Sequence, residues 1–177
     1  MSLTRDQIKP LTFVFEDDGL VPNNPLPLII YKRAVDVGRG HPEQAIESIF
    51  NRNGWAALWR NGIFDYLHYH ATVHEALGVA RGRALVLFGG ERGEAIELNP
   101  GDVAILPAGT GHKSLFSSHD FSVVGAYPPG NTMQVTRPTP DNYRMALKTI
   151  PQVALPQTDP VFGQDGELLR LWDKCPA

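Results

Sequence analysis

The sequence predicts an all-β fold with minor helices, arranged as a sandwich or a barrel. Residues 55–127 consist of short β-type runs separated by turn segments such as GGERGE, NPGD and PAGTG. Helical patterns do not alternate with these runs, which argues against a parallel sheet built from βαβ units. The 177 residues fit one domain, so we expect residues 1–177 to fold together around a core at 55–127.

The core contains eight expected strands, each a short apolar or alternating run that ends at a turn residue. They lie at residues 56–60, 63–69, 75–80, 83–88, 95–98, 103–106, 112–116 and 121–126. Gly82, Gly101 and Gly109 stand where the chain must reverse, and glycine adopts a positive φ without a side-chain penalty.

The segments on either side of the core are expected to pack on it. We expect residues 1–31 to be irregular apart from a strand at 11–15, because prolines interrupt the apolar segment 21–31. A helix is expected at about 42–53, where Pro42 suits a first helical position and Ala45, Ile46, Ile49 and Phe50 form one apolar stripe. After the core we expect a helix at about 141–149 and a closing strand at about 168–172.

Composition and charge exclude several functional classes. Hydrophobic residues make up 42% of the chain and charged residues 20%, as in a folded protein. The net charge of −3 and the pI near 6.0 give no field that attracts nucleic acid or an anionic membrane. The N-terminal residues contain no apolar run of the secretory type, and no segment resembles a membrane span, so we expect a cytoplasmic protein.

Partners are less constrained by the sequence. We expect a small-molecule ligand and neither nucleic acid nor membrane. Pairing of the apolar arm 26–31 with a second copy of the chain would give a homodimer. Cys175 is the single cysteine and excludes both an intramolecular disulfide and a cysteine-built metal site. We interpret Cys175 itself as a bystander.

Four residues have the chemistry and spacing of a metal site. His68 and His70 are two positions apart on an expected strand, so their imidazoles share a face. Glu75 is an odd number of positions further on, and a turn at 71–73 is needed to bring it to the same side. His112 follows the PAGTG turn and can close the set. Three imidazoles and one carboxylate suit Fe, Mn, Ni or Zn and leave coordination positions open.

Other residues near this cluster are candidates for the pocket. Phe64 and Tyr66 share the parity of the paired histidines and are expected to line the same cavity. His74 has two readings: it bonds to Glu75 or to a bound ligand, or it is a turn residue that faces solvent. His41 and His119 are expected in loops.

Residues 62–116 resemble the cupin family. The first motif of that family is matched at every spacing by Gly62, His68, His70, Glu75 and Gly82. The second motif is matched by Gly101, Pro107, Gly109 and His112. Phe116 stands where the family has asparagine, and we expect it too to lie at the pocket. The resemblance implies a double-stranded β-helix, the jelly-roll or cupin barrel, with N- and C-terminal extensions. The C-terminal segment is similar to small bacterial single-domain cupins of unassigned function.

Cupins catalyse several kinds of reaction, and some have no activity, so the resemblance leaves function open. The first hypothesis is a small metalloenzyme with one divalent transition ion (Fe, Mn, Ni or Zn), acting on a small polar organic molecule, with oxygen-dependent oxidation favoured. The alternatives are a metal-dependent isomerase or decarboxylase, and a non-catalytic small-molecule-binding or sensor protein. The sequence shows no acid–base residue beside the four ligands, which is the basis of the non-catalytic alternative.

Overall fold

Two antiparallel sheets face each other in the computed structural model, which describes residues 4–130 and 132–173. The larger sheet has the strand order β1-β2-β7-β4-β9-β3 and the smaller sheet has the order β6-β5-β8. The nine strands are β1 (Leu11–Phe15), β2 (Asn24–Tyr31), β3 (Ala56–Asn61), β4 (Glu75–Arg81), β5 (Ala84–Phe88), β6 (Glu94–Leu98), β7 (Val103–Leu106), β8 (His112–Ser117) and β9 (Ser122–Tyr127). This architecture is a double-stranded β-helix, and it confirms the predicted all-β fold class.

Three helices accompany the strands: α1 (Pro42–Arg52), α2 (Pro140–Thr149) and α3 (Glu167–Asp173). The helices expected at 42–53 and 141–149 are therefore confirmed within a residue of their predicted ends. Within the described ranges, no helix has the length and apolar character that crossing a membrane requires.

The buried apolar residues divide between the two faces of the larger sheet. Leu77 and Val79 of β4 point between the sheets and pack with residues such as Val86 and Phe88 of β5. On the opposite face, Ile46 and Phe50 of α1 pack over Gly78, where an added Cβ would lie 2.6 Å from Ile46 Cγ2. The sheet is thus covered on one face by the smaller sheet and on the other by helix.

The closing strand predicted at about 168–172 is wrong, because this segment forms α3. Leu168 and Trp172 are four residues apart, a spacing that places them on one helical face, and both are buried. Glu167 and Arg170 form an ion pair at i,i+3 on the same helix. Leucine, glutamate and arginine also favour helix over strand.

The irregular structure predicted for residues 21–31 is also wrong, because Asn24–Tyr31 forms β2. The prolines are tolerated since Pro25 and Pro27 lie where the pairing with β1 shifts register, and the recorded pairing with β7 begins only at Ile29. The apolar arm 26–31 lies within the sheet between β1 and β7, which removes the reason for expecting it to pair with a second chain.

The strand predicted at 63–69 is reduced to two isolated bridges. His68 bridges to His112, whereas Tyr69 bridges to Thr136. The two residues have different neighbours, so no continuous ladder forms. The prediction that Cys175 is a bystander concerns a residue outside the described ranges.

Candidate metal centre

Three histidines lie together at one end of the space between the sheets. His68 and His112 exchange two backbone hydrogen bonds, of 3.2 and 2.9 Å, and His112 is the first residue of β8. His70 follows two residues after His68, and all three side chains are buried. One ring nitrogen of each histidine lies within 4.8 Å of the others, so the three residues can hold a metal ion.

The hydrogen bonds of the three rings fix which nitrogen is free. Nδ1 of His68 lies 3.0 Å from the carbonyl oxygen of Tyr66, and Nδ1 of His112 lies 3.0 Å from the carbonyl oxygen of Thr110. Nδ1 of His70 lies 2.9 Å from the carbonyl oxygen of residue 134. A carbonyl oxygen only accepts, so each Nδ1 carries the hydrogen and donates it. In each neutral ring the lone pair is therefore on Nε2.

Glu75 reaches the same space from β4. The chain bends at Ala71 and Thr72, and Glu75 is the first residue of the strand that follows. Its Oε2 lies 3.2 Å from Nε2 of His70 and 3.4 Å from Nε2 of His112. Oε2 is buried and has no hydrogen-bond partner among the described residues. The carboxylate thus presents a lone pair to the same point as the imidazoles.

Burial and charge set the protonation of this cluster. Burial, together with the neighbouring His112, lowers the pKa of His68 to about 3. Burial opposes ionisation of Glu75, but His70 and His112 hold the pKa of its carboxyl well below the usual range. Burial also opposes a charge on His70, yet the Glu75 carboxylate outweighs it and raises the pKa of His70. The cluster therefore contains an ionised carboxylate at neutral pH.

The PAGTG turn positions His112. Thr110 N–H donates to the Pro107 carbonyl oxygen over 3.1 Å, which closes the turn. Gly109 has φ +91°, and an added Cβ would lie 2.5 Å from the Asn23 carbonyl oxygen, so only glycine fits without a shift. The turn also places the Thr110 carbonyl oxygen against His112 Nδ1.

A cavity of about 210 Å³ opens onto the cluster. Its described lining includes the four clustered side chains and an apolar wall of Trp59, Ile63, Phe64, Leu77, Met133 and Val135. Tyr127 also lines it and donates to Oε1 of Glu75 over 3.3 Å, while Trp59 Nε1 donates to the Tyr127 hydroxyl over 2.7 Å. This hydrogen-bonded chain engages Oε1 and leaves Oε2 facing the histidines.

Trp59 and Tyr127 were missed by the sequence analysis. They belong to β3 and β9, and Trp59 pairs with Gly125 in the register of these strands. An added Cβ on Gly125 would lie 2.0 Å from Cε2 of Trp59, so the indole lies directly on the glycine. The available signal was an aromatic residue within one core strand and another at the end of a second, which indicates a pocket only once the register is known.

Phe64 and Tyr66 lie beside the cluster, but only Phe64 lines the cavity. Their rings stack with centroids 4.6 Å apart, and both meet the His68 ring edge to face. The Arg137 guanidinium lies over the Tyr66 ring at 4.1 Å. The three side chains thus form a stack at the edge of the cavity.

The reading of His74 as a turn residue that faces solvent is wrong, and its recorded hydrogen bond is with Ala108 rather than with Glu75. Its side chain is buried, so it does not face solvent, and it points away from the cluster. Nδ1 accepts a hydrogen bond of 2.9 Å from Ala108 N–H, and the ring packs against Trp172 with centroids 4.8 Å apart. Because side chains alternate along an extended chain, His74 and Glu75 point to opposite sides.

Phe116 does not reach the pocket either. Its ring is 51% exposed, and the Arg83 guanidinium lies 5.7 Å from the ring centroid. His119 is exposed, as expected for a loop histidine, and so is His41.

Comparisons with solved structures give only loose likenesses. Acireductone dioxygenase from Bacillus anthracis, which has a cadmium ion in its active centre, superposes with a TM-score of 0.36 and 20% identity over 51% of this chain and 60% of that one. The dTDP-4-dehydrorhamnose 3,5-epimerase from Elizabethkingia anophelis has a TM-score of 0.42 and 15% identity, over 71% of this chain and 76% of that one.

The sequence comparisons give a stronger result. No family model matches the chain. The Bacillus subtilis (strain 168) protein named "Uncharacterized protein YjlB" is 43% identical over 165 residues, which are 92% of this chain and 96% of that protein. The chain belongs to the same family as YjlB. Its two cupin motifs and its two facing sheets identify it as a cupin.

Proposed function

We propose that this chain is a metalloenzyme in which His68, His70, Glu75 and His112 hold one divalent transition ion. Its substrate is a small organic molecule, and the favoured reaction is oxygen-dependent oxidation. The observation that carries the proposal is the agreement of the three imidazoles: each donates Nδ1–H to a backbone carbonyl and turns Nε2 to the common point. The buried Oε2 of Glu75, which lacks a hydrogen-bond donor, adds the negative charge that a cation needs.

The donor set fits such an ion. Three nitrogens and one carboxylate oxygen are ligands of intermediate softness, suited to Fe, Mn, Ni or Zn rather than to Mg or Ca. When bound, the ion would supply redox chemistry with molecular oxygen if it is iron, or Lewis-acid chemistry if it is zinc. The chain itself orients the four ligands and surrounds them with apolar side chains that exclude water.

The described residues around the cavity favour oxidation over isomerisation, because isomerisation begins with the abstraction of a proton by a base. Apart from the four ligands, the titratable side chains in the described lining are Tyr127 and Arg60. Burial and the nearby Glu75 raise the pKa of Tyr127, so its hydroxyl stays protonated. Arg60 is held by Glu47 over 2.5 and 2.8 Å. Neither residue is a base at neutral pH.

Elemental analysis of the purified protein tests the metal site. We expect about one transition ion per chain, retained in His119→Ala and lost in His68→Ala and His112→Ala. His119→Ala is the matched control because it removes an exposed histidine outside the cluster. Protein that contains no metal after growth in metal-replete medium, and that melts at the same temperature with and without chelator, would contradict the proposal.

Oxygen uptake separates the enzymatic proposal from non-catalytic binding. The iron-loaded protein is mixed with a panel of small hydroxy and keto compounds in air, and dissolved oxygen is followed with an electrode. Uptake that is absent in His112→Ala supports oxidation. A compound that raises the melting temperature without uptake or conversion, in air or under argon, supports a binding protein instead.

A further inference from the structure

The walls of the cavity differ in chemistry from its metal-binding end. The four polar ligands lie at one end, whereas the described walls are mainly apolar side chains. Phe64 and Val135 line the cavity, and 45% and 40% of their surface is exposed, so the described residues leave much of them uncovered. Apolar surface left open around a few convergent polar groups is typical of a ligand site.

The described walls offer little positive charge to an anionic group. Arg60 contributes to the lining, but Glu47 holds its guanidinium. Asn61 uses its Oδ1 to accept from Gly62 N–H. Arg137 lies over the Tyr66 ring and is not part of the lining. Away from the histidine cluster, the charged groups of a phosphorylated or multiply carboxylated molecule would therefore lose hydration without gaining a cationic partner from the described walls.

Size and shape restrict the ligand further. An apolar cavity of roughly 150 Å³ holds benzene, so about 210 Å³ accommodates one such ring with a short substituent. The stack of Phe64 on Tyr66 holds the Phe64 ring in place, since the ring has an aromatic neighbour 4.6 Å away. A fixed aromatic wall favours a flat or branched apolar body.

We infer that the cavity binds a compact, largely apolar and uncharged molecule of about the size of a substituted benzene, whose hydroxyl or carbonyl oxygens face the histidine cluster. The inference rests on the proposed function for the role of that oxygen group. It replaces the polar substrate expected from the sequence with one that is polar only at its metal-facing end.

The experiment compares two probes that carry paired oxygens on different bodies: 4-methylcatechol, which has an apolar ring, and malonate, which has two charges and no ring. Binding is measured under argon in two forms of the full chain. In chelator-treated protein, the methyl NMR signal of Met133 reports occupancy of the cavity. In Co²⁺-loaded protein, the visible spectrum reports binding at the ion.

The matched pair of variants is Phe64→Ala and Phe116→Ala. Both phenylalanines are about half exposed, but only Phe64 lines the cavity. We expect 4-methylcatechol to bind more tightly than malonate in both forms, and Phe64→Ala to weaken its binding about two- to twelvefold, the range of an aromatic contact. Phe116→Ala should leave the affinity within about twofold.

The outcomes separate this inference from the proposed function. Malonate binding as tightly as 4-methylcatechol, or equal effects of the two alanine variants, would overturn the apolar ligand class even if Co²⁺ binds. Failure of Co²⁺ to bind, with Phe64-dependent binding of 4-methylcatechol to the chelator-treated protein, would overturn the metal site and support the ligand class.

Discussion

Glu75 and Asp159 are both buried carboxylates, but the chain surrounds them in opposite ways. Asp159 accepts hydrogen bonds from the Tyr31 hydroxyl (2.7 Å) and from the backbone N–H groups of Val161, Phe162 and Leu168. Among the described residues, Glu75 accepts one long bond, from Tyr127, and its Oε2 has no hydrogen-bond partner and faces imidazole nitrogens. The chain thus supplies the hydrogen-bond donors that Asp159 needs, whereas the carboxylate of Glu75 is left to bind another group.

This difference distinguishes a structural carboxylate from a ligand. The donors around Asp159 come from β2 and from the segment leading into α3, so the residue ties the C-terminal part to the sheet. When the rings are neutral, the imidazole nitrogens around Oε2 of Glu75 present lone pairs to it, and only a cation or a proton between them relieves the repulsion. Both carboxylates are buried, so burial does not distinguish the structural carboxylate from the ligand. The groups that surround each carboxylate do.

The largest effect is expected at the structural carboxylate. Asp159→Ala leaves the Tyr31 hydroxyl and three backbone N–H groups without their acceptor, so we expect the free energy of unfolding to fall by about 3–5 kcal/mol. Urea denaturation measures this change, and the metal content per folded chain should stay the same. Asp159→Asn, which keeps one acceptor oxygen, should lose less. Wild-type stability in Asp159→Ala would contradict the structural role.

For Glu75→Gln we expect a large effect on metal binding and a small effect on stability, the reverse of Asp159→Ala. Loss of the anionic ligand should lower metal affinity by about 100-fold or more, since loss of an outer partner alone costs 10- to 100-fold. In the presence of chelator, however, the variant should lose less stability than Asp159→Ala, because a glutamine keeps the side-chain oxygen that accepts from Tyr127. Metal titration and thermal denaturation give the two values. A large loss of stability in the chelated variant would show that Glu75 resembles Asp159.

A smaller effect is expected from the residue that engages the other oxygen of Glu75. Tyr127→Phe removes the donor to Oε1, so the carboxylate is less well oriented and metal affinity should fall about tenfold. The Co²⁺ spectrum should also change, because Oε1 becomes free to coordinate. Trp59→Phe is the comparison variant: it leaves Tyr127 in contact with Glu75 and should change the spectrum less. Identical spectra for wild type and Tyr127→Phe would contradict this orienting role.

The smallest effect is expected in the pH dependence of stability, through His74, which precedes Glu75 in the chain. Burial lowers the pKa of His74 from 6.5 to about 4 in the folded protein. The unfolded chain therefore takes up this proton first, and stability that is complete above pH 6.5 is lost as the pH falls towards 4. The slope is at most about 1.4 kcal/mol per pH unit.

His74→Asn tests this slope, because asparagine can keep an acceptor for Ala108 N–H without titrating in this range. Stability is measured between pH 7 and pH 4 with chelator present, so that the other histidines contribute equally to both proteins. Equal slopes for the variant and the wild type would assign the acid sensitivity to other groups.

The predictions from sequence succeeded where local spacing carries the information. The helix at Pro42 and the turn at Gly82, where φ is +65°, follow from residues close together in the chain. The side on which Glu75 lies follows from the odd step after His70 and the bend at Ala71. Two motifs with fixed spacing were therefore enough to select the four residues that the structure brings together.

The errors arose where distant partners decide the structure. Pro25 and Pro27 indicated irregular chain, but an irregular section of the pairing with β1 accommodates them. His74 gave no local sign that Trp172, almost a hundred positions later, would cover its ring. Trp59 entered the site only through its register with Gly125 on β9. These contacts depend on tertiary packing, which short-range patterns do not contain.

The Nδ1–H groups of all three imidazoles donate to backbone carbonyl oxygens rather than to side chains. These oxygens belong to Tyr66, Thr110 and residue 134. A carbonyl is present whatever amino acid occupies a position, so these three positions can change identity during evolution without altering the tautomers of the cluster. The feature that must be conserved is the conformation of the main chain, including the turn at Gly109 that positions His112. Relatives that share the cluster can therefore diverge widely around it and still present the same three nitrogens.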